Sequence, residues 1–338
     1  MSHELRQAGT STTFLHQKKV EGGACVGFAG AMAVAMVLDA LMGWPDSLFA
    51  RIGHPVTWLG RLIQALDTRW NHDKDTALTR RAAGIATALI VIAVASAVGE
   101  LLQAWLASGW NHVFVLGVLA WPFVALRSLY EHVSAVGRPL QSGDIDSARS
   151  AVSKIVGRDP AKLDEAGIAR AAIESLAENA SDGIVAPVFW GVLFGLPGIA
   201  GYKAINTLDS MIGHRSERYE HFGWAAARID DVANFIPARL TGLIFALVSA
   251  EPKTALACMA RDGSKHRSLN AGWPEAAMAG SLFVRLCGPR FYDGERADEP
   301  WLNESARDPA AGDIALGLKL YVRAMAGLVG LLVILAFV

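Results

Sequence analysis

Residues 84–107 read GIATALIVIAVASAVGELLQAWLA, a run whose only charged side chain is Glu100. Wound as a helix at ~1.5 Å per residue, such a run is long enough to cross ~30 Å of hydrocarbon. Residues 319–338 end the sequence with a second apolar run, and residues 24–41 form a third, shorter one with Asp39 near its far end. Residues 112–126 are a fourth candidate, short and interrupted by Pro122. Backbone in lipid must satisfy its own hydrogen bonds, so apolar runs of this length imply helices. The expected fold is all-α: a polytopic integral membrane protein with helical cytoplasmic inserts.

Composition agrees. Hydrophobic residues make up 52% and charged residues 19% of the 338 positions, against ~25% charged in ordinary soluble domains. Mean hydropathy is +0.31. A formal net charge of −1, with no basic stripe interleaved with aromatics, speaks against a nucleic-acid surface. Cys25, Cys258 and Cys287 are odd in number, scattered and without a CxxC pair, so neither a disulfide framework nor a structural zinc site is indicated.

Arginine and lysine set the expected orientation. The loop between the first two runs holds Arg51, Arg61, Arg69, Lys74, Arg80 and Arg81, whereas residues 108–111 have none. The longer loop therefore belongs in the cytoplasm. With four spans both termini face outward and residues 127–318 stay cytoplasmic, although Arg6, Lys18 and Lys19 pull the other way. The chain divides into a polar N-terminal extension, 1–23, and one membrane-embedded domain, 24–338, with loops at 42–83, 128–182 and 251–318. Two apolar stretches do not fit simple spans. Residues 183–200 contain Pro187, Gly191, Gly195, Pro197 and Gly198, and residues 235–250 carry Pro237 and Arg239. Each can be a kinked span or a re-entrant segment lining a protein-enclosed site.

Polar chemistry concentrates around these broken stretches, where unpaired charge is costly. In LDEAGIARAAIESLAENASDG, Glu174 and Glu178 share a helix face with Arg170, and Asn179 and Asp182 add oxygen donors where the helix should end. That set suits a hard cation such as Mg²⁺, and it also suits a plain surface ion pair. In AINTLDSMIGHRSERYEHFG, Asn206 and Asp209 lie at i,i+3, and Gly213 permits a turn presenting His214 and Arg215. Arg215 or Arg218 could neutralise phosphate. ARIDDVANFIPAR supplies Asp230, Asp231 and Asn234, with Arg228 and Arg239 as candidate counter-charges. RDGSKHRSLNAGWPEAAMAG supplies the cations Lys265, His266 and Arg267, the turn residue Asn270, and Glu275 in the first turn of a helix. No GxxxxGK[ST] loop or GxGxxG fingerprint is present, which disfavours a P-loop fold.

In this order, LDALMGWP, HPVTWLGRLI, GRDP, LDEAGIARAAIESLAENASDGIVAP, YKAINTLDSMIGHRSERYEHFGWAAARIDDVANFIPARLT and HRSLNAGWPEAAMAG closely resemble the adenosylcobinamide-phosphate synthase family of cobalamin biosynthesis, CobD/CbiB. The likeness runs from about Leu38 to Gly280. Leu269 departs from it, since the family usually has proline in HRSPNAGWPEA, and the polar extension before Gly22 lies outside the family core. The resemblance implies an ATP- and Mg²⁺-dependent amide synthesis. A peripheral carboxylate of adenosylcobyric acid would be joined to (R)-1-aminopropan-2-ol or its O-phosphate, with an acyl phosphate as the activated form. Laid over the motifs, residue chemistry makes Glu178, Asp182, Asp209, Asp230 and Asp231 the pool of Mg²⁺ ligands and proton acceptors. Arg215, Lys265, His266 and Arg267 would hold phosphate, with His214 and Arg239 beside them, and Asn179, Asn206, Asn234 and Asn270 would orient substrates. The implied setting is the inner membrane with the site facing the cytoplasm. Implied partners are the corrinoid, the amine and the bilayer, with a homo-oligomer or other corrinoid-pathway proteins as candidates. Two rival classes are a corrinoid transporter, since broken helices with polar groups also describe substrate pathways, and a noncatalytic scaffold for pathway enzymes. The two halves show no matching repeat, which weighs against transport.

Overall fold

The computed structural model describes residues 27–106, 111–156, 163–214, 216–292 and 295–338. The extension at 1–23 and Arg215 lie outside the described residues. The fold is helical, as the apolar runs imply. Helix α1 is Gly27–Met42, followed by α2 (Asp46–Ile52), α3 (Pro55–Trp70) and α4 (Ala77–Trp105). Next come α5 (His112–Ala120), α6 (Leu126–Gln141), α7 (Ile145–Val152) and α8 (Glu165–Ala180). The second half holds α9 (Ala186–Leu208), α10 (Trp224–Ala233), α11 (Phe235–Val248), α12 (Pro252–Asp262), α13 (Gly272–Leu282) and α14 (Ala311–Leu335). Two small antiparallel pairs interrupt the helices: β1 (Leu286–Cys287) with β4 (Trp301–Leu302), and β2 (Arg290–Tyr292) with β3 (Glu295–Ala297). They fall within the stretch 251–318 that the sequence assigns to a loop.

By length and composition, Ala77–Trp105, His112–Gln141, Glu165–Gly213 and Ala311–Leu335 can each cross a membrane. Leu89, Leu101 and Trp105 on α4, and Val322 and Ile334 on α14, are large apolar side chains left exposed. Exposed apolar surface of this extent on long helices marks a lipid-facing wall. The two middle candidates are interrupted. Pro122 sits in the 3-10 turn Trp121–Phe123, after which Val124 is extended and α6 begins. Helix α6 then buries Leu126, Leu129, Val133, Val136 and Leu140 at three- and four-residue spacing, the pattern of an amphipathic helix on a protein core.

The other interruption is Gly195, whose backbone (φ 68°, ψ −144°) is not helical. There the chain turns back on itself, because the Tyr202 hydroxyl reaches the Asp182 carbonyl oxygen at 3.2 Å. In one straight helix, twenty residues would separate those two positions by about 30 Å. The arms, 186–194 and 196–208, press together so closely that a Cβ on Gly198 would come within 2.2 Å of the Trp190 carbonyl oxygen. The apex seats on α4: the Leu196 amide donates to Gln103 Oε1 at 2.9 Å, and Gly99 leaves room for the Leu196 carbonyl. That glutamine supplies an acceptor the apex could not find in lipid. Residues 183–200 thus lie in a helical hairpin, which favours the re-entrant reading of the two left open by their Pro and Gly content.

Local signals in the flanking motifs are structural. Asp144 caps α7 by accepting from the Ser147 amide at 3.0 Å, and His54 caps α3 by accepting from the Val56 amide at 3.2 Å. Asp39 accepts from the Arg127 amide at 3.0 Å, while the Arg127 guanidinium donates to the Leu41 carbonyl at 2.6 Å, so α1 ends against the start of α6. Arg218 pairs with Asp67 at 2.8 Å.

Candidate functional site

Two π-helical turns flank the hairpin, Ser181–Val185 before it and Asp209–Gly213 after it. Such turns widen the helix by a residue and are frequent at functional sites. Because the hairpin returns, both turns lie at its mouth, and each contributes an acid: Asp182 from the first, Asp209 from the second. The Gly183 carbonyl accepts from the Ala125 amide at 3.2 Å, which docks the start of α6 onto the same mouth. Between them is a cavity of about 800 Å³. Asp182, Lys203, Asn206 and Asp209 line its hairpin side, Glu178 and Asn179 its α8 side, and His132 and Lys154 the opposite wall.

The acids form one electrostatic group. Asp182 feels the charges of Asp230, Glu178 and Asp209, and Asp209 those of Asp231 and His214. Tyr202 holds the group from behind, its hydroxyl proton shared between Asn234 Oδ1 at 2.8 Å and the Asp182 carbonyl at 3.2 Å. Asp230 Oδ1 is buried there with no hydrogen bond of good geometry; Asn234 is its polar neighbour, as Ser181 is that of Asp182. A buried carboxylate oxygen with no donor is expensive unless a cation or substrate group meets it. Hard oxygen donors of this kind are the type that suits Mg²⁺, and Glu178, Asp182 and Asp209, which line the cavity, are the residues that would face it.

Three basic residues also line this cavity, and none of them was among the candidates read from the sequence. Lys203, Lys154 and His132 line the cavity opposite or among the carboxylates. The signal for Lys203 was present: it is the one lysine or arginine in the apolar run from 183 to 208, and intramembrane charge is a functional hypothesis by default.

The remaining predicted site residues fall elsewhere. Asp231 pairs with Arg228 at 2.9 Å, and its carbonyl accepts from Asn270 Nδ2 at 2.9 Å. Arg239 is stacked between Phe235 (3.6 Å) and Trp273 (4.5 Å) and donates to Asn270 Oδ1 at 3.2 Å. This cluster ties α10 and α11 to the turn before α13. The stretch 265–267 does not form one cationic face. Lys265 pairs with Asp262 at 2.7 Å, His266 faces Glu275 at 3.8 Å, and Arg267 stands exposed 4.0 Å from Glu299. None of the three lines the acidic cavity. Asp262 is buried, which by itself would raise its pKa. Hydrogen bonds from Arg261, Lys265 and the Asn303 amide outweigh that and hold it well below the usual carboxylate range. Arg170 pairs with Asp308 and stacks on Trp301 rather than serving Glu174, which accepts from the Cys287 amide at 2.7 Å.

Fold and site together define a polytopic α-helical membrane protein whose helical hairpin carries an acid- and lysine-lined cavity. Residues 32–321 match the model of the CobD/Cbib protein family, and the chain belongs to that family. A relative from Rhodobacter capsulatus, named cobalamin biosynthesis protein CobD, is 61% identical over 311 residues, covering 91% of this chain and 98% of its own. Proteins of the same name from a Sinorhizobium species and from Brucella suis biovar 1 are 44% identical over 315 residues and 45% identical over 310 residues. They cover 91% and 89% of this chain and 98% and 95% of their own. No solved structure matches it significantly.

Proposed function

We propose that this chain acts in cobalamin biosynthesis as an adenosylcobinamide-phosphate synthase in the inner membrane, its cavity open to the cytoplasm where ATP is found. The observation that carries this reading is the cavity, which sets carboxylates and cations face to face at a hairpin mouth in a chain of this family. The reaction needs both signs of charge. ATP transfers its terminal phosphoryl group to a carboxylate oxygen of adenosylcobyric acid, releasing ADP. The nitrogen of (R)-1-aminopropan-2-ol or its O-phosphate then forms the C–N bond as the C–O bond to phosphate breaks. Lys203, Lys154 and His132 offset phosphate charge, a role the sequence suggested for the Lys265–Arg267 stretch. The acids draw in the substrate ammonium, and one of them accepts its proton so that the amine can attack. Mg²⁺, when bound, would neutralise phosphate charge beside those same acids. Holding amine and acyl phosphate together in one cavity removes much of the entropic barrier.

The test is mass spectrometry of products from the purified protein with adenosylcobyric acid, ATP and Mg²⁺, in parallel with aminopropanol, with its phosphate, and with no amine. An amine-dependent mass gain with ATP cleavage is expected. No product from either amine, in a preparation shown to be folded, overturns the reading.

A further inference from the structure

A second cavity lies on the outside of the bundle. It is a groove of about 890 Å³ between α4, the two arms of α9, and α10. Ile85, Ile92, Phe194, Ile205 and Ile229 give it apolar walls. Along α4 its lining runs from Ile85 to Glu100, fifteen positions or about 22 Å of helix. At the end nearer the start of α4, Arg228 lines the groove, and Arg81 stacks over the lining residue Trp224 at 4.6 Å. Phe194, Trp224 and Val232 around it are exposed, at 55%, 42% and 75%.

We propose that this groove seats one acyl chain of an anionic membrane phospholipid, with the lipid phosphate at Arg81 and Arg228. Three features select that occupant. The groove opens on the surface that α4 turns to hydrocarbon, where water cannot fill an apolar channel. Its length exceeds the ~15 Å of one leaflet, so one extended chain follows it. Its cations gather at one end, the end that positive-inside bias assigns to the cytoplasm, where anionic headgroups are found.

The seated chain has a structural consequence. The Tyr202 ring is part of the groove wall, while its hydroxyl holds Asn234 and the Asp182 carbonyl at the acidic cavity. A chain in the groove therefore braces the turn Ser181–Val185 from behind. None of this depends on the amide-forming reaction, and the experiment is read without it.

The protein is purified in mild detergent, its lipids are identified and counted by native mass spectrometry, and it is then returned to nanodiscs of phosphatidylglycerol or phosphatidylcholine. About one phospholipid per chain should remain bound, with anionic headgroups favoured. Ile85→Trp, which fills the groove from α4, should lower retention about tenfold, the equivalent of two displaced methylenes. Arg81→Gln should leave the chain bound but reduce the preference for anionic headgroups about fivefold. Stripping the lipid should speed hydrogen exchange in residues 181–185. A folded protein that holds no lipid overturns the proposal, as does indifference to headgroup or unchanged retention in Ile85→Trp. A dimer that Ile85→Trp dissociates would give the groove to a second copy instead. Unchanged exchange at 181–185 would remove the bracing role.

Discussion

Replacing Gly195 by alanine tests whether the hairpin reversal is built as described. Gly195 sits at φ 68°, ψ −144°, close to a region that essentially only glycine populates, and side chains forced there cost about 1–3 kcal/mol. A Cβ at this position would lie 2.1 Å from Gln103 Oε1 and 2.9 Å from Phe28 Cε1. The Gln103 side chain can swing aside, but doing so breaks its hydrogen bond from the Leu196 amide. An amide left unpaired away from water costs a further ~1–3 kcal/mol. The two contributions centre on about 4 kcal/mol, a large part of the ~5–15 kcal/mol that typically holds a fold together. Thermal unfolding of detergent-solubilised protein should show Gly195→Ala lowered by about 5–10 °C. Gln103→Leu removes the acceptor while sparing the backbone, so it should fall by less. Gly330→Ala is the control, because nothing lies within 4 Å of a Cβ there, and alanine inside a helix is favoured over glycine by ~0.5–1 kcal/mol. If Gly195→Ala melts with the wild type, the reversal at Gly195 is wrong. Equal losses for Gly195→Ala and Gln103→Leu would show that the backbone conformation contributes nothing.

Asp182→Asn and Asp209→Asn should each lower amide synthesis by about 10²–10³ while leaving the melting profile in place, and full activity in either variant removes that residue from the chemistry. Lys203→Met should weaken the phosphate-bearing substrates selectively, read as a rise in KM for ATP or the amine phosphate, with Lys203→Arg recovering part of the loss. Asp262 titrates lower in the folded protein than unfolded. Its contribution to stability is therefore complete above the unfolded pKa of ~3.9 and is lost as pH falls through the folded value. Melting temperature should consequently drop in acid below about pH 4, and Asp262→Asn should flatten that part of the curve by removing the titration. Burial pushes the Cys258 thiol up to about 12, so alkylation at pH 8 should leave Cys258 unmodified until the chain unfolds.

The lipid-facing elements were legible because their cause is local. A run such as 84–107 has nowhere to go but hydrocarbon, and α4 and α14 follow from it. The Asp144 cap is local in the same sense, reaching an amide three residues away. The sequence also marked 183–200 as broken, but not which way it breaks. A kinked span and a hairpin share the same glycines and prolines. What selects the hairpin is a partner 93 positions away, the Gln103 side chain that receives the apex amide, and no periodicity announces it. The strands between Leu286 and Leu302 escaped notice because two- and three-residue strands are too short to alternate visibly.

An energetic rule, that charge beside apolar runs needs a reason, picked out Asp182, Asp209 and Asp230, and these lie close enough to feel one another's charge. Applied evenly, it would have found Lys203 too, because a lone lysine between Tyr202 and Ala204 is under the same pressure as the aspartates. Lys265, His266 and Arg267 were grouped instead by adjacency in sequence, which is not adjacency in space. Consecutive residues on a turn point apart, and here each finds a different acid, Asp262, Glu275 and Glu299. Each of these charges already faces an acid. Charge stranded at a hairpin mouth, with Asp230 Oδ1 buried beside it and no hydrogen bond of good geometry there, still needs an external partner. On that ground we propose the cavity at the hairpin, rather than the more cationic stretch near residue 265, as the place for substrate chemistry.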